Sequence, residues 1–236
     1  QYIFLEEVDR SGVNIPFIKL ETVGPTLMKL GTEKQKEYFL PRILNGEVEI
    51  AVGYSEPQAG TDLAALETRA EKDGEDYIIN GQKVFTTMAH VSDYIWLAAR
   101  TDPNVPKHKG ISIFLVPTDA PGFSVTPMNL MGERSNVTYY DNVRVSKDAL
   151  VGEENMGWHY ITTQLSLERL MLSTYSKMKR TVEETIEWAK ETVIEGKPVF
   201  EQEWVQEKLS ELTVKIGVLK QLNYRAAWGH GNEKAA

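Results

Sequence analysis

The spacing of apolar residues along the chain changes character twice. Over residues 1–46 it is helical. Thr32-Glu33-Lys34-Gln35 has the form of a capping box that opens a helix through Tyr38-Phe39-Leu40, and Asn45-Gly46 ends it. Over residues 47–156 the pattern shortens to alternating or β-branched runs, at Asp76–Asn80, Asp93–Ala99, Gly110–Val116 and Thr138–Val145. Asp73-Gly74 and Asn80-Gly81 read as turns between strands, and Pro117 and Pro121-Gly122 close others. No helix long enough for a crossover separates these runs, so the sheet is expected to be mostly antiparallel. From residue 157 to 236 the helical period returns. The pattern predicts one helix from Gly157 to about Thr192, a break at Gly196-Lys197-Pro198, and a second helix from about Gln202 to Trp228. Two long consecutive helices form a hairpin, half of an up-and-down bundle.

Composition narrows the function more than the fold. The 236 residues are 42% hydrophobic and 25% charged, enough for one large or two medium domains with a real core. The formal net charge is −8 and the basic residues are scattered, which argues against a nucleic-acid partner. The densest basic group, Lys177-Met178-Lys179-Arg180, lies along a helix and is followed by acids. With no cysteine in the chain, disulfides and thiolate catalysis are excluded. His90, His108, His159 and His230 show no metal-ligand spacing, so no metal site is expected. There is no apolar run of about 18 residues and no visible signal peptide, so a cytoplasmic protein without a membrane span is expected. The chain opens inside a helical pattern without an initiator methionine and closes just after another helix, as the middle of a longer polypeptide would.

Candidate chemistry begins at Glu168. Trp158, Ile161, Leu165, Leu172 and Tyr175 mark one apolar stripe at helical spacing, and Glu168 occupies a slot on it. A carboxylate among buried apolar side chains is penalised unless it is paired or needed, and burial raises its pKa toward that of a useful general base. Its structural alternative is an ion pair with Arg169 or with another helix. A second stretch, Val52-Gly53-Tyr54-Ser55-Glu56-Pro57-Gln58-Ala59-Gly60-Thr61-Asp62, runs from a strand into a loop. There Thr61-Asp62 is placed to cap the turn Leu63-Ala64-Ala65-Leu66, whose free N–H groups would suit an anion or a heteroaromatic ring. The third, Asn80-Gly81-Gln82-Lys83-Val84-Phe85-Thr86-Thr87, is a strand ending in an aromatic and two hydroxyls.

Taken in order, these stretches resemble the acyl-CoA dehydrogenase family along essentially the whole chain. Gly31-Thr32-Glu33-Lys34-Gln35-Lys36 with Leu40-Pro41 is similar to that family's entry to its β domain. Tyr54 to Asp62 resembles its first flavin signature and Gly81 to Thr87 its second, while Val151-Gly152 through Gly157-Trp158 resembles its exit to the C-terminal bundle. The resemblance implies an α+β fold with a helical N-terminal segment, an antiparallel β-barrel-like middle domain and a C-terminal helical bundle, truncated here. It implies FAD, with Val52, Tyr54 and Ser55 lining the pyrimidine side. Gly60 and Thr61 would sit where flavin and acyl-CoA meet, and Phe85, Thr86 and Thr87 beside the isoalloxazine. Phe85 stands where the family usually has tryptophan, and Met88 where asparagine often follows.

Members of the family carry the catalytic glutamate either late in the bundle or on its first helix within a Leu-Glu-Arg sequence. Leu167-Glu168-Arg169 is similar to the second. Glu168 would then take the α-proton of an acyl-CoA while the β-hydrogen leaves as hydride to the flavin, giving a trans-2-enoyl-CoA. Thr61, Ser166 and Arg169 would contact substrate, and electron-transfer flavoprotein would be the acceptor. Same-fold acyl-CoA oxidases, flavin monooxygenases and non-catalytic partner subunits share much of this pattern. One segment departs from homotetrameric members. Their Arg-x-x-Phe-Gly is replaced by Glu195-Gly196-Lys197-Pro198-Val199-Phe200-Glu201, as in bacterial heteromeric members acting on bulky or steroid side-chain acyl-CoAs. A homo- or a heterotetramer fits the pattern.

Overall fold

The computed structural model describes residues 2–13, 15–16, 18–131, 134–172 and 174–231, and for 166–172 and 230–231 the backbone course alone. Helices α1 (Tyr2–Ser11), α2 (Gly24–Leu30) and α3 (Glu33–Asn45) come first. Strands β1 (Ile50–Gly53), β2 (Arg69–Asp73), β3 (Asp76–Lys83), β4 (Tyr94–Arg100), β5 (Ile111–Pro117), β6 (Phe123–Asn129), β7 (Arg134–Ser146) and β8 (Leu150–Val151) follow. Helices α4 (Gly157–Leu172), α5 (Tyr175–Glu191) and α6 (Glu203–Gly231) close the chain, with the small strands β9 (Val193–Ile194) and β10 (Lys197–Pro198) between the last two. The chain divides into two compact units, Pro16–Ser166, and Gln1–Ile15 together with Leu167–Ala236. No helix among the described residues is long and apolar enough to cross a membrane.

In the first unit the strands form one eight-stranded sheet in the order β6-β7-β3-β2-β4-β5-β8, with β1 beside β4. It is mostly antiparallel, as expected. The exceptions are β1 with β4 and the single Arg69–Arg100 pair of β2 with β4, both parallel. The two ends of the order, β6 and β8, do not pair with each other, so the barrel-like expectation gives way to an open sheet. The β8 end is only two residues long and is occupied by a helix side chain. The Gln35 amide of α3 donates to the carbonyls of Asp148 (2.8 Å) and Leu150 (2.9 Å). Covering a short edge in this way is a common answer to an unpaired strand.

The central strand β4 explains the two cores. Its alternate side chains diverge, Trp96 and Ala98 into one apolar cluster with Leu27, Phe39, Ile43 and Ile161, and Ile95, Leu97 and Ala99 into another with Tyr77, Ile79, Phe114 and Val143. A strand buried on both faces reads as an unbroken apolar run, which is how Ile95–Ala99 reads. The capping box is present as expected: Thr32 Oγ1 accepts from Gln35 N–H (3.2 Å), and Gln35 Oε1 from Thr32 N–H (3.1 Å). Gly46 ends α3 in the left-handed region, at φ 73°. Asp73-Gly74 is the β2–β3 turn. Asn80-Gly81 lies inside β3, where the register with β7 shifts between Ile79 and Gly81. It is therefore a bulge instead of the expected turn. Gly81 has φ 147°, and a Cβ there would lie 2.7 Å from Thr68 Cα.

The expected single helix over 157–192 is two helices. Thr174 is extended (φ −71°, ψ 136°), its hydroxyl bonds the Asp9 carboxylate, and the first N–H of α5, on Tyr175, donates to Asn223 Oδ1 (3.1 Å). Distant side chains thus satisfy groups that a continuous helix would have paired locally. The break at Gly196-Lys197-Pro198 is a β9–β10 hairpin turning through Glu195 (φ 51°) and Gly196 (φ 80°). Ala189, Val199, Val205 and Leu209 form the core beneath it.

Candidate functional site

The two sequence stretches singled out above come together in the first unit. The chain leaves β1 at Tyr54 and leaves β3 at Val84, and the Val84 N–H donates to the Ser55 carbonyl at 2.8 Å. Beneath that bond the Lys83 ammonium meets Glu56 Oε1 at 2.7 Å, with both side chains closed off from solvent, and Lys83 Nζ also donates to the Tyr54 carbonyl (3.1 Å). Glu56 accepts three further bonds: its Oε2 from Glu67 N–H (2.6 Å) and Gln58 Nε2 (2.9 Å), its Oε1 from Thr68 N–H (2.9 Å). One carboxylate therefore cinches the whole loop between β1 and β2 and fastens it to the end of β3.

Electrostatics fit this role. Burial alone would raise the Glu56 carboxyl, but the Lys83 ammonium and the Thr68 and Glu67 donors hold it below its usual range. Burial pushes the Lys83 ammonium down to about 8, against the pull of Glu56. Neither residue was singled out from the sequence. The available signal was positional: Tyr77, Ile79 and Lys83 all fall on inward positions of β3, and a lysine there demands a buried partner.

The expected flavin-loop residues divide by burial. Val52 and Ser55 are half-buried, and Gly60 and Thr61 are exposed at the loop tip. The Tyr54 side chain turns into the core, where its hydroxyl accepts from Trp96 Nε1 (2.9 Å) and donates to Gln164 Oε1 on α4 (2.6 Å). The expected Asp62 cap is absent. The 3₁₀ turn Leu63–Ala65 has no side-chain cap, and the Asp62 carboxylate pairs with Lys107 at 2.5 Å instead. Phe85 is exposed, with φ 56°, Thr86 is fully buried and Thr87 half-buried. Met88, where the resemblance has asparagine, adopts φ 66°, a conformation asparagine tolerates far better. The hydroxyls of Ser55 and Thr87 make no side-chain hydrogen bond among the described residues and remain available to a ligand. Ser166, Glu168 and Arg169 belong to α4, and their side chains lie outside the described residues.

Two family models match the chain. The middle domain of acyl-CoA dehydrogenase matches residues 51–143, and its C-terminal domain matches residues 155–236. The chain belongs to the acyl-CoA dehydrogenase family. Among acyl-CoA dehydrogenases, it is 49% identical over 229 residues to acyl-CoA dehydrogenase FadE29 of Mycobacterium tuberculosis, covering 96% of this chain and 59% of that one. Two solved structures share the fold closely. The Tcur3481–Tcur3483 steroid ACAD matches with TM-score 0.91 and 48% identity over 99% of this chain and 60% of its own. The ChsE4–ChsE5 complex from Mycobacterium tuberculosis matches with TM-score 0.88 and 45% identity over 98% of this chain and 60% of its own. The chain thus spans about three fifths of the length of each of these proteins.

Proposed function

We propose that the full-length protein is an FAD-dependent acyl-CoA dehydrogenase, converting an acyl-CoA thioester to its trans-2-enoyl-CoA. The observation that carries this reading is the bond from Val84 N–H to the Ser55 carbonyl above the buried Lys83–Glu56 pair. It brings two separate flavin-like signatures to one place, with half-buried hydroxyls at Ser55 and Thr87 and an exposed aromatic at Phe85. Hydroxyls without a side-chain partner among the described residues, with an aromatic in the same turn, suit a flat heteroaromatic ring with polar edges. Val52, Tyr54 and Ser55 would hold one side of FAD, with Tyr54 acting through its main chain, and Phe85 and Thr87 the other, with the fully buried Thr86 fixing the turn between them. Gly60, where an added Cβ would meet nothing within 4 Å, would sit where flavin and substrate meet.

Bound flavin would supply a hydride acceptor for the β-hydrogen. Glu168 would receive the α-proton on its carboxylate, while Thr61, Ser166 and Arg169 hold the CoA thioester. A thioester α-proton is too weakly acidic for a well-solvated carboxylate to remove fast, so exclusion of water around Glu168 is part of the task. Electron-transfer flavoprotein would then reoxidise the enzyme. The direct test is to purify the full-length protein, record its flavin spectrum, and follow bleaching by a panel of acyl-CoAs. Oxygen uptake without an electron-transfer partner would turn the assignment to an oxidase or monooxygenase, and a colourless protein would turn it to a non-catalytic subunit. Thr87→Val should shift the flavin absorption or potential with FAD occupancy intact, because an isosteric methyl replaces a hydroxyl at the ring edge. An unchanged spectrum and potential would remove Thr87 from the site.

The acyl group is proposed to be bulky, and the assembly to contain a second, unlike subunit. Two relatives, named as a steroid ACAD and a two-chain complex, support this. So does the segment Gly196-Lys197-Pro198-Val199-Phe200-Glu201, which has Lys197 in place of the arginine of Arg-x-x-Phe-Gly, losing the bidentate fork suited to a pyrophosphate, and the acid Glu201 in place of its glycine. Full-length protein expressed alone should therefore hold flavin poorly. Expressed with its homologous partner it should carry one FAD per pair of chains, read as absorbance against protein after gel filtration. A homotetramer with one FAD per chain refutes the heteromeric assignment.

A further inference from the structure

The turn that leaves β3 is strained, and Asn136 ties it to the neighbouring strand β7. Within four residues both Phe85 (φ 56°) and Met88 (φ 66°) occupy the left-handed region, which bulky side chains avoid. Lys83 pairs with Thr138 of β7, so the chain leaving β3 runs alongside Asn136. Asn136 grips both faces of Thr86: the Thr86 N–H donates to the Asn136 carbonyl (3.0 Å), and Asn136 Nδ2 donates to the Thr86 carbonyl (2.9 Å). The second amide hydrogen of Asn136 faces His90 Nδ1, 3.2 Å away at the far side of the same turn. Asn136 is fully buried, and its Oδ1 has no partner among the described residues. A buried amide with an unsatisfied oxygen is costly, and its compensation here lies in the two hydrogens it gives to the turn.

We propose that Asn136 is a positioning residue for the flavin-facing turn, fixing Phe85 and Thr87 through the Thr86 backbone with His90 orienting its amide. This rests on the flavoenzyme reading above. Removing the side chain frees the turn to leave its left-handed conformations and displaces the groups on either side of Thr86, at the point where small displacements cost rate heavily.

The test uses the full-length holoenzyme. Asn136→Ala should keep its FAD and slow flavin bleaching by acyl-CoA about tenfold or more, with KM within about twofold of wild type, because the loss is in alignment and not in substrate binding. Adding Met88→Gly, which adopts φ 66° without a steric penalty, should recover part of the lost rate. A generic packing defect at Asn136 would not respond to that change. A wild-type rate in Asn136→Ala, or a loss that Met88→Gly leaves untouched, overturns the proposal. If Asn136→Ala does not fold, His90→Ala at the exposed end of the contact decides: slower bleaching at unchanged KM supports the role, and an unchanged rate rejects it. Wild-type protein that takes up no flavin, alone or with its partner subunit, defeats the functional reading and this assignment together.

Discussion

Glu168→Gln should retain FAD and lose acyl-CoA-dependent bleaching by at least about 10²–10⁴-fold, the usual cost of removing a general base. The substitution keeps the size and shape of the side chain while replacing the charged, proton-accepting carboxylate with a neutral amide. Substrate binding is therefore expected to survive, and the loss should fall on kcat with KM little changed. In the sequence Glu168 falls on an otherwise apolar stripe at helical spacing, where a carboxylate with no chemical task would be a liability. Stopped-flow bleaching of the flavin measures the effect. A wild-type rate in this variant would move the base to a position late in the bundle.

The largest stability effect is expected at Lys83. Lys83→Met leaves Glu56 as a buried carboxylate without its counter-charge, a change that costs about 3–5 kcal/mol in comparable buried pairs. For a unit of this size the melting temperature should fall by about 6–20 °C. Because Glu56 also ties the loop through Glu67, Thr68 and Gln58, flavin affinity should fall with it. Pairing Lys83→Met with Glu56→Gln removes the stranded charge and should restore part of the stability, which a double-mutant cycle read by thermal denaturation resolves. If the single variant melts within a degree of wild type, the pair contributes nothing and the loop is held by its backbone bonds alone.

Local chemistry in the sequence was enough to determine several elements. The Thr32–Gln35 capping box, the Gly46 stop, the Asp73-Gly74 hairpin and the doubly buried run of β4 each depend on residues within a few positions of one another. The two flavin-like signatures were legible for the same reason, since each is one continuous stretch. What only the tertiary structure decided involves partners far apart in the chain. Asn80-Gly81 carries a strong turn signal, yet β7 and Thr68 hold it as a bulge within β3. Thr174 stands between two helices in a pattern that reads as one, and Asp9 and Asn223, far off in the chain, bond the Thr174 hydroxyl and the Tyr175 N–H. Asp62 has the composition of a cap, but Lys107 takes its charge. The ends of the sheet, β6 and β8, do not pair, and Gln35, over a hundred positions away, bonds the Leu150 carbonyl of β8. In the site the same division holds: Lys83 and Glu56 are 27 residues apart, and Asn136 and Thr86 are 50 apart. Periodicity and propensity report on neighbours along the chain, whereas a buried charge or amide reveals its purpose only beside the group that satisfies it.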